Sequence, residues 1–359
     1  APVATPVQTS FGTMHDRPAV FVRAIDTDGA CGLGEVWCNF PTVGAEHRAR
    51  LVGSVFAPLM EGKFFRSPEA AFLTVTAQTE VLAIQAAEPG PISQCIAGID
   101  IALWDLHAKR LGVPLWKLLG GKSPTIPVYA SGLNPTAPEK LAGEKLADGH
   151  RAFKLKVGFG LERDIANLKA LRGVIGDLPL MVDANQAWDL DTATQMAAAI
   201  EDFALGWLEE PLRADRPWSE WQRLASNTTQ RLAAGENMAA FAAFEKALES
   251  HALAVVQPDM TKWGGFTGCL TVAKKILGHR LRYCPHYLGG GIGLIASAHL
   301  LAAVGGDGML EVDANPNPLR TLTCGRLARV AGGNVTLDDA PGLGSEPDLQ
   351  ALREYAVSN

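Results

Sequence analysis

Phe153-Lys154-Leu155-Lys156-Val157-Gly158 places two like charges two residues apart inside an apolar run. In a strand that spacing sends both lysines to one face and Phe153, Leu155 and Val157 to the other. The surroundings decide what kind of strand it is. From about residue 125 onward, short apolar stretches recur: TIPVYAS, AFKLKV, PLMVDAN, GWLEEP, RLAAGEN, AVVQPD, LRYCPHY and GMLEVD. Between them lie amphipathic stretches such as LERDIANLKALRGVIG and AAFAAFEKALES, with apolar residues at helical spacing. Strands alternating with helices predict an α/β fold with a closed parallel barrel.

From the second strand onward, each apolar lead-in ends in a polar or charged residue. These are Lys154 and Lys156, Asp183, Glu209, Glu236, Asp259, His286 and Glu311, spaced 23 to 27 residues apart. That interval is one strand–helix unit. In a parallel barrel all strand C-termini open on one face, where active sites lie, so these positions should converge on one mouth. One acid after a strand is ordinarily a helix cap or a solvated loop residue. Repetition at every strand end favours a site.

Residues 1–120 read as a separate α+β region. RPAVFVRAIDTDGACGLGEVW suggests two strands joined by an Asp-Gly turn. PISQCIAGIDIALWDLHAKRLG suggests a helix, with Ile96, Ile99, Leu103 and Leu106 in register and Gly112 and Pro114 as stop signals. This helix and the apolar tail are candidates for an oligomer interface, or for simple packing against the barrel. Residues 121–320 make the barrel region. Residues 321–359, with a strand-like RLARVAGGNVTL and a Gly/Pro-rich end, are expected to return to the N-terminal region.

The net charge of -6 and the lack of a basic run argue against nucleic acid. No apolar run is long enough to span a membrane. Six cysteines, with no C-x-x-C pair, read as reduced thiols of a cytoplasmic protein. The start, APVATPVQTS, has the features of neither a signal peptide nor an initiator Met.

Asp183, Glu209 and Glu236 come from consecutive strands, and clustered carboxylates need a counter-ion. Oxygen-only ligands suit a hard cation, with Mg²⁺ the usual choice. Two adjacent, buried ammonium groups should lower each other's pKa and leave one lysine as a neutral base. Asp259 would orient His286 and raise its basicity. Glu311, if kept protonated, would donate a hydrogen bond to a developing oxyanion. Such a group can form an enolate from a carboxylate substrate, with a base on either face.

FKLKVG, MVDANQ, WLEEPL, AGEN, QPDMTKWGG, the PH of YCPHYLGGG and MLEVD together resemble the enolase superfamily, in its mandelate racemase / muconate lactonising enzyme family. The likeness covers nearly the whole chain. It implies a (β/α)7β TIM-type barrel capped by an α+β domain built from the N-terminal region and the C-terminal tail, with the cap's first strand truncated before Ala1. It implies Lys156 as base and Lys154 as the lysine that tunes it. It implies Asp183, Glu209 and Glu236 as ligands of one Mg²⁺ per subunit, with Glu210 behind them. The His286–Asp259 dyad and Glu311 match the mandelate racemase subgroup; Lys262, three residues past Asp259, is not assigned as a base. Asn185 and Lys262 are expected at the substrate. Specificity would come from cap loops at about Phe11–Arg17 and Trp37–Val43, where His15, Arg17 and Asn39 suit a hydroxylated or anionic ligand. Asn315-Pro316-Asn317-Pro318 is similar to sugar-acid members. The expected reaction is dehydration of an acid sugar to a 3-deoxy-2-keto acid, with racemisation, epimerisation or cycloisomerisation as alternatives. The expected partners are a small carboxylate and further copies of the chain.

A competing pattern is Gly291-Ile-Gly293-Leu-Ile-Ala296, which fits G-x-G-x-x-A, with Glu311 twenty residues past its first glycine. A dinucleotide site would not explain the three acids. The alternative is a helix N-terminus that helps hold a substrate carboxylate.

Overall fold

The structure, a computed structural model, describes residues 1–345 and 347–357. Four N-terminal strands form two antiparallel hairpins: β1 (Pro2–Thr9) with β2 (Gly12–Asp16), and β3 (Val20–Ile25) with β4 (Cys31–Val36). The expected Phe11–Arg17 loop is therefore mostly strand β2. The Asp-Gly turn lies between β3 and β4, with Gly29 at φ +83°.

Helix Pro89–Leu111 packs on the second hairpin, and helix Pro68–Gln85 packs on that helix. The longer one, Pro89–Leu111, opens with proline in its first turn and ends at Gly112 in the left-handed conformation, φ +69°. It lies unusually close to β4. A Cβ on Gly32 or Gly34 would stand 2.0 and 1.9 Å from the carbonyl oxygens of Ala102 and Gly98. Ile96, Ile99 and Ala102 are buried in the cap core with Val20, Val22 and Val36. The helix face offered by sequence as an oligomer interface is thus covered within the chain. Exposed apolar residues of the cap include Phe64, Val81 and Ile84, and Leu111 at the end of this helix.

Eight parallel strands follow: β5 (Thr125–Leu133), β6 (Phe153–Lys156), β7 (Leu180–Asp183), β8 (Leu208–Glu209), β9 (Leu232–Ala234), β10 (Val255–Val256), β11 (Arg282–Tyr283) and β12 (Leu310–Asp313). Hydrogen-bonded order runs β11-β10-β9-β8-β7-β6-β5-β12. The sheet curls, but the expected closed barrel is met only in part, because no ladder joins β11 to β12. At that seam Met309 N–H is given to Cys284 Sγ at 3.4 Å, and Gly308 passes so close to Tyr283 O that a Cβ would stand 1.9 Å away. Tyr129, Met181, Trp207, Ala233, Val255 and Cys284 form one buried apolar cluster contributed by strands around the sheet. A larger core joins the sheet to the surrounding helices.

The tail does not simply return to the cap. β13 (Asn334–Thr336) pairs antiparallel with the start of β5. Gly342 and Leu343 then bond Val113 and the Asp105 carboxylate. Among the described residues no helix is long and apolar enough to cross a membrane.

Candidate active site

Parallel register builds the site. Lys156 is level with Asp183, and Asp183 with Glu209, on adjacent strands. Glu236, Asp259 and His286 follow the ends of β9, β10 and β11, and Glu311 lies on β12. All of these residues, Lys154 and Lys156 included, are buried at 9% exposure or less. Lys154 Nζ lies 2.7 and 2.8 Å from the two Glu209 oxygens, 2.7 Å from Glu311 Oε1 and 3.6 Å from Asp183 Oδ2. Lys156 Nζ is 2.6 Å from Asp183 Oδ2.

These pairings correct the expected neutral lysine. Burial works to lower both lysines, but Glu209 and Glu311 beside Lys154, and Asp183 beside Lys156, outweigh it and hold both above the usual lysine value. Glu311 is corrected likewise. Burial favours its protonation, but Lys154 and His286 hold it below the usual carboxylate range. It accepts hydrogen bonds from Ser131 Oγ and from Tyr287 N at 3.0 Å.

His286 stands at the other end of the group. Its Nδ1 is 2.8 Å from Asp259 Oδ2, and its Nε2 contacts Glu236 Oε2. Asp259 is itself pinned by Thr261 N and Oγ1 at 2.8 and 2.6 Å. Burial opposes a charge on His286, but Glu236 and Glu311, with the Asp259 hydrogen bond, push its pKa up to about 10.

Asp183, Glu209 and Glu236 therefore sit between Lys156 on one side and His286 on the other. Carboxylates outnumber cations in this mouth, and two buried oxygens, Asn185 Oδ1 and Glu210 Oε2, have no hydrogen-bond partner. An all-oxygen, acid-rich set of this kind fits a hard divalent cation. The oxygens are presently turned onto the lysines and His286. Among the described residues no trio of His, Cys, Asp or Glu encloses a metal position as it stands. Burial, with Glu236 and Asp183 nearby, raises Glu210 well above the ordinary carboxylate value. Its Oε1 accepts from Asn237 at 2.8 Å.

The substrate-side residues separate. Asn185, at φ +45°, bonds Asp183 through both its N and its Nδ2. Lys262 Nζ lies 3.6 Å from Glu236 Oε1 and 4.8 Å from the Trp37 ring centre. His15 is exposed on β2. Arg17 is buried, its Nη2 bound to Asp313 at 2.6 Å. Asn39 gives its amide to Leu288 O at 2.6 Å. The two cap segments meet where Phe11 and Phe40 stack edge to face at 5.2 Å.

Sequence reasoning missed several supports. Gln257 and Trp207 donate to Glu209 at 2.7 and 3.1 Å, and Tyr129 lies beneath Lys154 at 5.6 Å. Ser131 ends TIPVYAS, so the polar strand-end rule extends to the first strand as well. The glycine-rich helix start is also occupied, but not by a ligand. Glu35 of the cap accepts from Gly290 N at 2.5 Å and Gly293 N at 2.9 Å. That replaces the expected substrate carboxylate with a carboxylate of the chain itself.

Comparison with known proteins agrees with this geometry. Residues 1–120 match the mandelate racemase / muconate lactonizing enzyme N-terminal domain, and residues 138–351 match the enolase C-terminal domain-like family. The chain belongs to the enolase superfamily, in its mandelate racemase / muconate lactonizing enzyme family. It is 32% identical over 355 residues to a 3,6-anhydro-alpha-L-galactonate cycloisomerase of Streptomyces coelicolor, covering 97% of this chain and 94% of that one. It is 32% identical over 272 residues to an arabinonate dehydratase of Saccharolobus solfataricus, covering 72% and 71%. Among solved structures, a mandelate racemase/muconate lactonizing enzyme from Bordetella bronchiseptica RB50 is 58% identical, with TM-score 0.93 and 95% of each chain covered. A racemase from Streptomyces coelicolor with bound magnesium is 31% identical, with TM-score 0.90, covering 99% and 97%.

Proposed function

We propose that this protein is a Mg²⁺-dependent enzyme that removes the proton α to the carboxylate of an acid sugar and then expels the β-oxygen, dehydrating it to a 3-deoxy-2-keto acid. The observation that carries the reading is the placement of Lys156 and the Asp259-oriented His286 at opposite ends of the Asp183–Glu209–Glu236 group. Asp183, Glu209 and Glu236 would hold a divalent cation, which would supply positive charge where the enolate oxygens form. Lys156 Nζ, once deprotonated, takes the α-proton as the C–H bond breaks. Lys154, fixed between Glu209 and Glu311, keeps a positive charge beside it. His286 Nε2 gives its proton to the departing β-hydroxyl, which leaves as water while the carbon–carbon double bond forms. The resulting enol tautomerises to the 2-keto acid. Asp259 holds the imidazole in the tautomer this step needs.

A second reading keeps the same proton abstraction but breaks a ring C–O bond, giving a cycloisomerase. It is favoured by the relative of that activity that matches over 97% of this chain. Both readings share the two proton-transfer groups. The test is formation of 2-keto acid from a panel of aldonic, uronic and aldaric acids by wild type, Lys156→Ala and His286→Asn. We expect turnover in wild type and a loss of at least ~10²-fold in both variants, with unchanged circular dichroism. Full activity in both variants would rule the mechanism out.

A further inference from the structure

Each strand from β5 to β11 is followed by a helix of nine residues or more, but β12 is followed only by the six-residue helix Pro318–Thr323 and the turn Gly325–Ala328. The place that a further barrel helix would fill, between helices Pro138–Ala147 and Gly291–Val304, holds a cavity of about 400 Å³. Its apolar lining includes Leu294, Val312 and Leu327. Its polar lining is cationic on balance: Lys145, Arg320 and Arg329 against Asp148 and Asp313.

Two buried polar atoms in these walls, His150 Nε2 and Arg320 Nη1, have no hydrogen-bond partner. His150 is 5% exposed. Its Nδ1 faces the Lys145 carbonyl at 3.3 Å, and a carbonyl only accepts, so Nδ1 carries the proton and Nε2 presents a lone pair. Burial keeps the ring neutral, with its pKa pushed down to about 4. Nε2 therefore calls for a donor. Arg320 is ion-paired with Asp313, but its Nη1 makes no hydrogen bond of good geometry. Its Nη2 is spent on Asn315 O at 3.0 Å. Its Nη1 stands 3.3 Å from Asp313 Oδ2, an oxygen already held by Arg17 at 2.6 Å. Lys145 is taken by Asp148 at 2.8 Å, whereas Arg329, at the exposed rim, has no ion pair among the described residues. Unmet donors and acceptors on residues that line one cavity are a usual mark of a ligand or ordered water.

We propose that this slot binds a small anion that also carries a hydroxyl donor, the chemistry shared by monohydrogen phosphate and a hydroxy acid. Its anionic oxygens lie between Arg320 and Arg329, and its hydroxyl donates to His150 Nε2. Sulfate has the charge but no proton to give, so it meets Nε2 lone pair to lone pair.

The test is calorimetric titration of the full chain, in phosphate-free buffer near neutral pH, with sodium phosphate, sodium sulfate and sodium gluconate. Phosphate should bind at least ~10-fold more tightly than sulfate. Arg329→Ala, an exposed change that leaves the fold alone, should weaken phosphate by at least ~10-fold. His150→Phe should abolish the preference over sulfate. Lys156→Ala should leave phosphate binding intact, which separates the slot from the mouth. Gluconate binding that Arg329→Ala removes, and that is tighter than phosphate, names a hydroxy acid as occupant; weaker gluconate names phosphate. No heat with phosphate, equal affinity in wild type and Arg329→Ala, or loss of binding in Lys156→Ala alone would overturn the proposal.

Discussion

His299 lies fully buried in helix Gly291–Val304, accepting at Nδ1 from Trp116 N at 2.9 Å and facing Leu343 O through Nε2 at 3.2 Å. Burial pushes its pKa down to about 4 from 6.5. Above pH ~6.5 the folded and unfolded chains both hold it neutral, and its contribution to stability is fully present. As pH falls from there toward ~4, only the unfolded chain gains the proton, so stability is lost across that window, by about 3 kcal/mol at its end. Urea unfolding from pH 7 to 4 should show this slope, reduced in His299→Gln; an identical slope in the variant contradicts the assignment. The lysine pair teaches a related point about single residues. Its spacing made the shared face legible in sequence, because strand alternation is local. Its charge state was not legible, because that depends on Asp183 and Glu209, 27 and 55 residues further along the chain.

Strand β4 shows how an element reaches the site without entering it. Gly32 and Gly34 let it lie against helix Pro89–Leu111, and Glu35 then projects to the N-terminus of helix Gly291–Val304. A carboxylate there is favoured by the free N–H groups and by the helix dipole. The same turn contains Tyr287, whose N–H bonds Glu311, and His286 precedes it. Removing Glu35 leaves two buried N–H groups unpaired, so Glu35→Ala should lower unfolding stability by about 1–3 kcal/mol. Urea denaturation measures it, and a change below a few tenths of a kcal/mol would show that the contact is idle. The G-x-G-x-x-A spacing marks a strand-to-helix turn whose N–H groups bond a carboxyl group. What it could not say is that this carboxyl group comes from a strand more than 250 residues earlier, 255 and 258 positions from the glycines it bonds.

At the scale of the whole molecule, the alternation of apolar strands and amphipathic helices made the parallel sheet legible, and the polar residue at each strand end made its mouth legible. Both signals repeat locally, so they survive without knowledge of packing. The seam was not legible: β11 and β12 face each other through a sulfur and a glycine, and no residue pattern distinguishes such an edge from a paired one. The tail's addition to β5 escaped for a similar reason, since β13 is only three residues long. The same holds for Arg17, whose partner Asp313 is set by how the cap sits on the sheet. The assembled mouth makes one central claim, that Lys156 takes a proton from the carbon next to a carboxylate. The measurement that tests it most directly is proton NMR in D₂O with Mg²⁺, following aldonic, uronic and aldaric acids, their lactones and simple α-hydroxy acids. The account predicts that at least one acid sugar loses its α-proton signal and yields a 3-deoxy-2-keto product, and that Lys156→Ala abolishes both changes. Retention of every α-proton by the wild-type protein, or the same loss in Lys156→Ala, would contradict it.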